Sequence, residues 1–408
     1  MGLLFALGLL LMLGHGASRL AVGLRLPAVT GYIVGGAGGG WLISHYAALD
    51  TAPVLALIQW TALAFIFFWL GEELQPWRLR QGGRAATVIA ACDVVANLVL
   101  VGGLVMWATG SPALGIILGT IAMTTDPVAT LWVLRESRAK GPVSQLVASV
   151  LAIKSVMVVL CFTIALPLVE VLYRTHGLPT DLHWFAGALT ELAGSVLLGG
   201  SLALVWMGLG RWVASAEDNH LPLIALILIG ASFSSVCHLS LLLTMLVFGA
   251  IAATSGWTSA AYHTATRSQG PILAILLVLS GATLHVTELG HVGLLGLVYV
   301  IARPLAMVFG SQVGARLAGL PKRQGRLLGQ SLVSQAGMSV ALAVIVQQRL
   351  PEIGDMVVLV VLAAAVIFEI TGPLLARQAL LAAGEAQQRV GTAPLRELIH
   401  PAAGELRH

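Results

Sequence analysis

The chain has 408 residues, of which 58% are hydrophobic and 10% charged; a soluble domain carries about 25% charged residues to meet water over its whole surface. With a mean hydropathy of +0.92 and only 22 basic and 18 acidic side chains, this is a polytopic membrane protein, and disorder, a disulfide scaffold and nucleic-acid binding are excluded. The net charge of +4 is a matter of topology, and Cys92, Cys161 and Cys237 lie inside apolar runs, where they read as small core residues.

Thirteen candidate spans of about 20 apolar residues follow one another: 2–18, 26–43, 53–71, 84–108, 112–134, 143–172, 184–209, 221–237, 239–256, 270–284, 291–315, 327–348 and 355–381. The first lacks a small-residue cleavage site and is not read as a removable signal peptide. The second holds the glycine-rich run 31–40, read as close helix packing because no Gly-Lys-Ser/Thr follows. The fifth is interrupted by Thr124-Thr125-Asp126-Pro127, and the twelfth by Ser334-Gln335-Ala336-Gly337-Met338-Ser339. Proline removes a backbone donor and clashes with the preceding turn, and neighbouring polar groups can satisfy what it frees. From about residue 384 a short polar tail follows, expected to be cytoplasmic.

With the amino terminus outside, eighteen of the 22 basic residues fall on the cytoplasmic side and only Arg174 and Arg349 outside, the bias of the positive-inside rule. Lys154 and Arg303 remain in mid-span. An odd number of spans suits two six-helix repeats of opposite orientation joined by a linker helix, with a site at mid-membrane between broken helices.

An ionisable group at the bilayer centre costs about 2.5–3.5 kcal/mol and needs a reason. Six qualify: Asp93, Asp126, Lys154, Glu191, Arg303 and Glu369. Asp126 is distinguished by Pro127, which opens the helix where its carboxylate sits. Unwound carbonyls, a carboxylate and the hydroxyls of Thr124 and Thr125 make a hard-oxygen environment for a small cation, to which Gln335 at the other break adds a neutral ligand. Asp93 and Glu369 read either as buried counter-ions for Lys154 and Arg303 or as functional groups. Glu191, on the linker, faces either lipid or a partner subunit. Enzyme chemistry is not indicated. Only His238 and His285 approach the membrane core, and no His-Glu-x-x-His or Gly-x-Ser-x-Gly pattern occurs. No cofactor is expected, and no metal beyond a monovalent cation at Asp126.

Thr124 to Ala129 resembles the signature of the monovalent cation:proton antiporter superfamily. So, in order, do Leu26 to Gly36, Phe65 to Leu74, Leu279 to Leu284, Ile301 to Leu305 and Leu332 to Ala343. The resemblance implies an all-α polytopic fold with two inverted six-helix repeats and crossed broken helices five and twelve. It implies dimerisation helices at about 1–71 and 221–284, a mobile core at about 84–172 and 291–381, a linker at 184–209, and a homodimer in the cell membrane. The implied activity is exchange of sodium, potassium or lithium for protons. One departure is large. Where the family's sixth span carries an Asn-Asp or Asp-Asp pair whose aspartate holds cation and proton in turn, this chain has Ile153-Lys154. The acid often found five residues earlier is Ser149, which takes from Arg303 its usual partner.

A unit charge ~4 Å away is worth about 4 kcal/mol at an effective dielectric near 20, so changing −1 to +1 penalises a bound cation by roughly 8 kcal/mol. Three outcomes are open. Lys154 is itself the proton carrier, because burial disfavours an ammonium, with Asp126 the cation ligand and exchange one for one. Or Lys154 and Arg303 bind an anion coupled to protons. Or Lys154 locks a non-transporting sensor of the same fold through a salt bridge to Asp126 or Glu369.

Overall fold

The structure, a computed structural model, describes residues 2–24, 28–46, 52–71, 83–175, 183–209, 220–254, 269–282, 289–335 and 337–386. Outside these lie the expected tail beyond residue 386, His285, and the connections that carry Arg78, Arg80, Arg211 and Arg267. Among the described residues the regular structure is helical throughout.

Three helices open the chain: α1 (Gly2–Gly23), α2 (Ala28–Tyr46) and α3 (Ala52–Leu70). The fourth span is one rod in three parts, α4 (Gly83–Ala96), a π-turn (Asn97–Val101) and α5 (Gly102–Thr109). The fifth is broken into α6 (Pro112–Ala122) and α7 (Pro127–Glu136), and the sixth is the long α8 (Pro142–Thr175). Then come α9 (His183–Leu209), α10 (His220–Val236), α11 (Leu241–Thr254), α12 (Gln269–Ala282) and α13 (Leu289–Leu317). The twelfth span is broken into α14 (Lys322–Ser331) and α15 (Gly337–Arg349), and α16 (Pro351–Ala383) ends the series. These rods coincide with the thirteen expected spans. Six, including α8 and α16, are long and apolar enough to cross a bilayer alone. The rest are shorter or broken; at the two breaks the freed backbone at membrane depth is buried in protein, the condition under which it is tolerated.

Packing divides the helices into two groups. In the first, α2 lies between α1 and α12, α3 between α11 and α12, and α9 and α10 lean on α11. The glycine run of α2 makes the first contact possible: a Cβ at Gly36 would lie 2.1 Å from the carbonyl oxygen of Val278, so only glycine permits this approach. In the second group α4 packs on α13 and α8, α6 on α8, and α16 on α13, α14, α15 and α7. The pairs answer one another across the repeats: α2–α12 has its mate in α3–α11, and α4–α8 in α13–α16. This is the inverted-repeat architecture. One reading needs amending: Cys237 is exposed at the turn between α10 and α11, while Cys92 and Cys161 are partly buried.

Candidate functional site

Each break leaves carbonyls without helical donors at the end of one half-helix and amides without acceptors at the start of the next. At the crossing, chain meets chain directly, since the Asp126 amide donates to the Ser334 carbonyl at 3.0 Å. Asp126 also caps α7. Its Oδ1 accepts from the Ala129 amide at 3.3 Å, its carbonyl accepts from the Thr130 hydroxyl at 2.9 Å, and Pro127 fills the first helical position, where no amide is needed.

Arg303 closes the carbonyl ends. It is fully buried and donates through Nε to Ala122 O at 3.1 Å, through one terminal nitrogen to Val333 O at 2.6 Å, and through the other to Thr124 O at 2.5 Å. One guanidinium therefore ties both breaks together, and its carbon lies 4.6 Å from the centre of the Phe368 ring. Of the two readings left open for Glu369, counter-ion to Arg303 or functional group, the hydrogen bonds of Arg303 do not supply the first. The partners of Arg303 are helix-end carbonyls, which carry partial negative charge by virtue of the helix dipole. Ser149, which stands where the family keeps an acid, turns back to the Gln145 carbonyl at 2.9 Å.

Lys154 lies at the same crossing, 1% exposed, with Nζ 3.1 Å from Thr125 Oγ1. Its carboxylate partner is Asp93 of α4, itself 0% exposed. A lock by Asp126 or Glu369 is thus replaced by Asp93, whose Oδ2 also accepts from the Asn97 amide nitrogen at 3.3 Å. Ser311 lies 3.5 Å from its other oxygen. This is possible because α13 passes α4 with Gly310 against it: a Cβ there would sit 2.6 Å from Asp93 Cα. The ion pair has no net charge, so the roughly 8 kcal/mol penalty expected for a cation beside a bare Lys154 does not apply while Asp93 is ionised.

The neutral groups are engaged with one another. Gln335 donates to Thr124 Oγ1 at 3.2 Å and to the Tyr299 hydroxyl at 2.9 Å, while its Oε1 and the Ser334 hydroxyl are buried with no hydrogen-bond partner. Glu369 lies on α16, which packs on α7, the second half of the fifth span. Three residues further along α16, Gly372 approaches so closely that a Cβ would lie 2.4 Å from Ser334 Oγ. Glu369 Oε2 is buried without a hydrogen-bond partner, and the carboxyl group is within electrostatic reach of Asp126. Pro373, inside the helix, deprives the Glu369 carbonyl of its donor four residues on. The structure thus brings together Thr124, Thr125, Asp126, Lys154, Arg303 and Gln335 at one crossing, with Asp93 paired to Lys154 and Glu369 within electrostatic reach of Asp126. Glu191 is elsewhere, 3.6 Å from Arg349. Asn97, Ser311, Tyr299 and Phe368 escaped the sequence reading. Asn97 had a signal, since it lies four residues after Asp93 on the same helix face.

Helices broken and crossed at mid-membrane around buried charges define a secondary transporter. The model of the family described as sodium/hydrogen exchanger, transmembrane, matches residues 6–378, and the chain belongs to that family, one of transporters and not of enzymes. Two structures of the sodium proton antiporter MjNhaP1 from Methanocaldococcus jannaschii share the fold. One has 16% identity and a TM-score of 0.70, covering 93% of this chain and 99% of that one. The other has 15% identity and a TM-score of 0.63, covering 94% and 98%.

Proposed function

We propose that this protein exchanges sodium, potassium or lithium for protons across the cell membrane by alternating access, with Asp126 as cation ligand and Lys154 as proton carrier. The observation that carries the reading is the ammonium of Lys154 buried at the crossing between Thr125 and Asp93. When Lys154 gives up its proton, Asp93 is uncovered, the crossing becomes more negative by one charge, and a cation is admitted beside Asp126. Total charge is the same in both states, so exchange is one for one and electroneutral. In reconstituted vesicles, Lys154→Ala is expected to lose cation-dependent proton flux, and full flux in that variant would refute the role of Lys154.

A second assignment within the same antiport rests on Glu369, whose buried Oε2 lacks a hydrogen-bond partner. Two carboxyl groups at one site take up one positive charge at a time, proton or metal ion, so the Asp126–Glu369 pair would carry the exchange while Lys154 and Asp93 stay joined. Loss of flux in Glu369→Gln, with flux kept in the double variant Asp93→Asn/Lys154→Met, favours this assignment over the first. An anion at Arg303 is disfavoured, because each of its three nitrogens already donates to a carbonyl. A locked sensor is the outcome if the wild type moves no cation. By family resemblance, α1–α3 and α10–α12 form the dimerisation surface and α4–α8 with α13–α16 the mobile core. The basic residues favour an external amino terminus and a cytoplasmic carboxyl terminus.

A further inference from the structure

Far from the crossing, a second group of charges joins the two helix groups. Arg349, the last residue of α15, holds Glu170 of α8 in a bidentate pair, Nε to Oε1 at 2.7 Å and a terminal nitrogen to Oε2 at 3.1 Å. Both residues belong to helices of the second packing group. The remaining terminal nitrogen of Arg349 lies 3.6 Å from Oε1 of Glu191 on α9. Helix α9 is fastened to the first group at this very level. Ser195 Oγ donates to the Glu191 carbonyl at 2.6 Å and accepts the Ser240 amide, just before α11, at 2.9 Å. His238, on the same turn with a positive φ of 53°, adds a further titratable group facing Glu191. A crevice at the seam is lined by Thr163 and Ile345 from helices of the second group and by Trp60 and Leu242 from helices of the first. Glu170 is near the end of α8 and the Val143–Ser144 turn at its start, so these charges stand at one face of the membrane domain.

We infer that Arg349 is a strap that holds the two helix groups together at this face, and that its contact with Glu191 is the joint that opens when one group moves against the other. The two halves of the strap are unequal. Two charge-assisted hydrogen bonds to Glu170 fix Arg349 to its own group, whereas the Glu191 contact is single and, at 3.6 Å, longer than a hydrogen bond, so it is the half that yields. Partly exposed pairs contribute modestly. That suits a joint that biases an equilibrium between two arrangements without freezing it, since a small differential interaction shifts populations only by that amount.

The inference concerns motion and holds whichever ion is moved, so its test uses no transport. In a chain whose three native cysteines are replaced by serine, Ile345→Cys reports on the crevice through its labelling rate with a membrane-impermeant maleimide. Adding Glu191→Gln is expected to raise that rate about two- to fivefold, the shift a pair of this exposure supports, with the melting temperature little changed. Glu191→Asp, which keeps the charge, is expected to restore most of the slow rate. An unchanged rate in Glu191→Gln overturns the strap. So does an increase that Glu191→Asp fails to reverse, which would mean general loosening of the seam.

Discussion

Replacing Asp93 by asparagine keeps the shape of the side chain and removes one charge from a pair whose members are 0% and 1% exposed. The ammonium of Lys154 is left with the Thr125 hydroxyl as its partner, in the field of the Arg303 guanidinium. At ~4 Å and an effective dielectric near 20 the lost attraction is about 4 kcal/mol, in line with the ~3–5 kcal/mol observed when one partner of a buried pair is removed. Lys154→Met is expected to cost less, about 1–3 kcal/mol, because Asp93 keeps its bond from Asn97, and a hydrogen bond to a charged group, worth about 1.5–3 kcal/mol, offsets part of the loss. In the double variant no buried charge is stranded, and apolar or neutral replacements of buried pairs are often close to neutral. The cycle is measured by denaturant unfolding of the purified protein in mixed micelles. The coupling energy should reach at least about 2 kcal/mol, with the double variant more stable than Asp93→Asn alone. Single effects that add to within about 0.5 kcal/mol, as independent sites do, would refute the claim that these two charges hold each other in the membrane core.

Two further substitutions test the parts around that pair. Arg303→Lys retains the charge, but one ammonium cannot serve the carbonyls of two separate breaks as a planar guanidinium does; with hydrogen bonds to charged groups worth about 1.5–3 kcal/mol each, a loss of at least ~3 kcal/mol is expected. Hydrogen exchange should accelerate in peptides covering residues 121–126 and 332–335 together, and acceleration of one alone would show that Arg303 does not couple them. Glu385 is the carboxylate cap of α8, accepting from the Val143 and Ser144 amides at 2.8 Å each and from the Ser144 hydroxyl at 2.6 Å. Glu385→Ala should therefore cost about 1–2 kcal/mol, as loss of a good cap does, and speed exchange at residues 142–146, with the crossing unaffected; protection unchanged at α8 would refute the capping role.

The spans and breaks were legible because the signals are local: apolar run length, a proline in a polar cluster, and a bias of arginines between faces. Which charge meets which was not, because a mid-span carboxylate can face any of several neighbours. Lys154 and Asp93 are 61 positions apart by number, and their meeting depends on how closely α13 approaches α4 at Gly310. The partners of Arg303 were left open between Glu369 and none, because sequences display side-chain charge and hide helix ends, although the two breaks already announced a set of orphan carbonyls. Glu191 was placed on a linker facing lipid or a partner, and Arg349 among external residues, with nothing in their local sequence to couple them. Glu385 read as the start of a polar tail, yet it clamps a helix that begins more than two hundred residues earlier.

The pairing of charges at the crossing bears on how the membrane voltage is felt. Among the described residues at the crossing, the charges of Asp93 and Asp126 balance those of Lys154 and Arg303 when all four are ionised, and Glu369 is the acid left over. An uncompensated elementary charge carried across the bilayer works against about 2.3 kcal/mol per 100 mV. A body that shuttles with its fixed charges balanced would be nearly blind to that field, and whatever voltage dependence the protein has would then report the occupancy of a single carboxyl group.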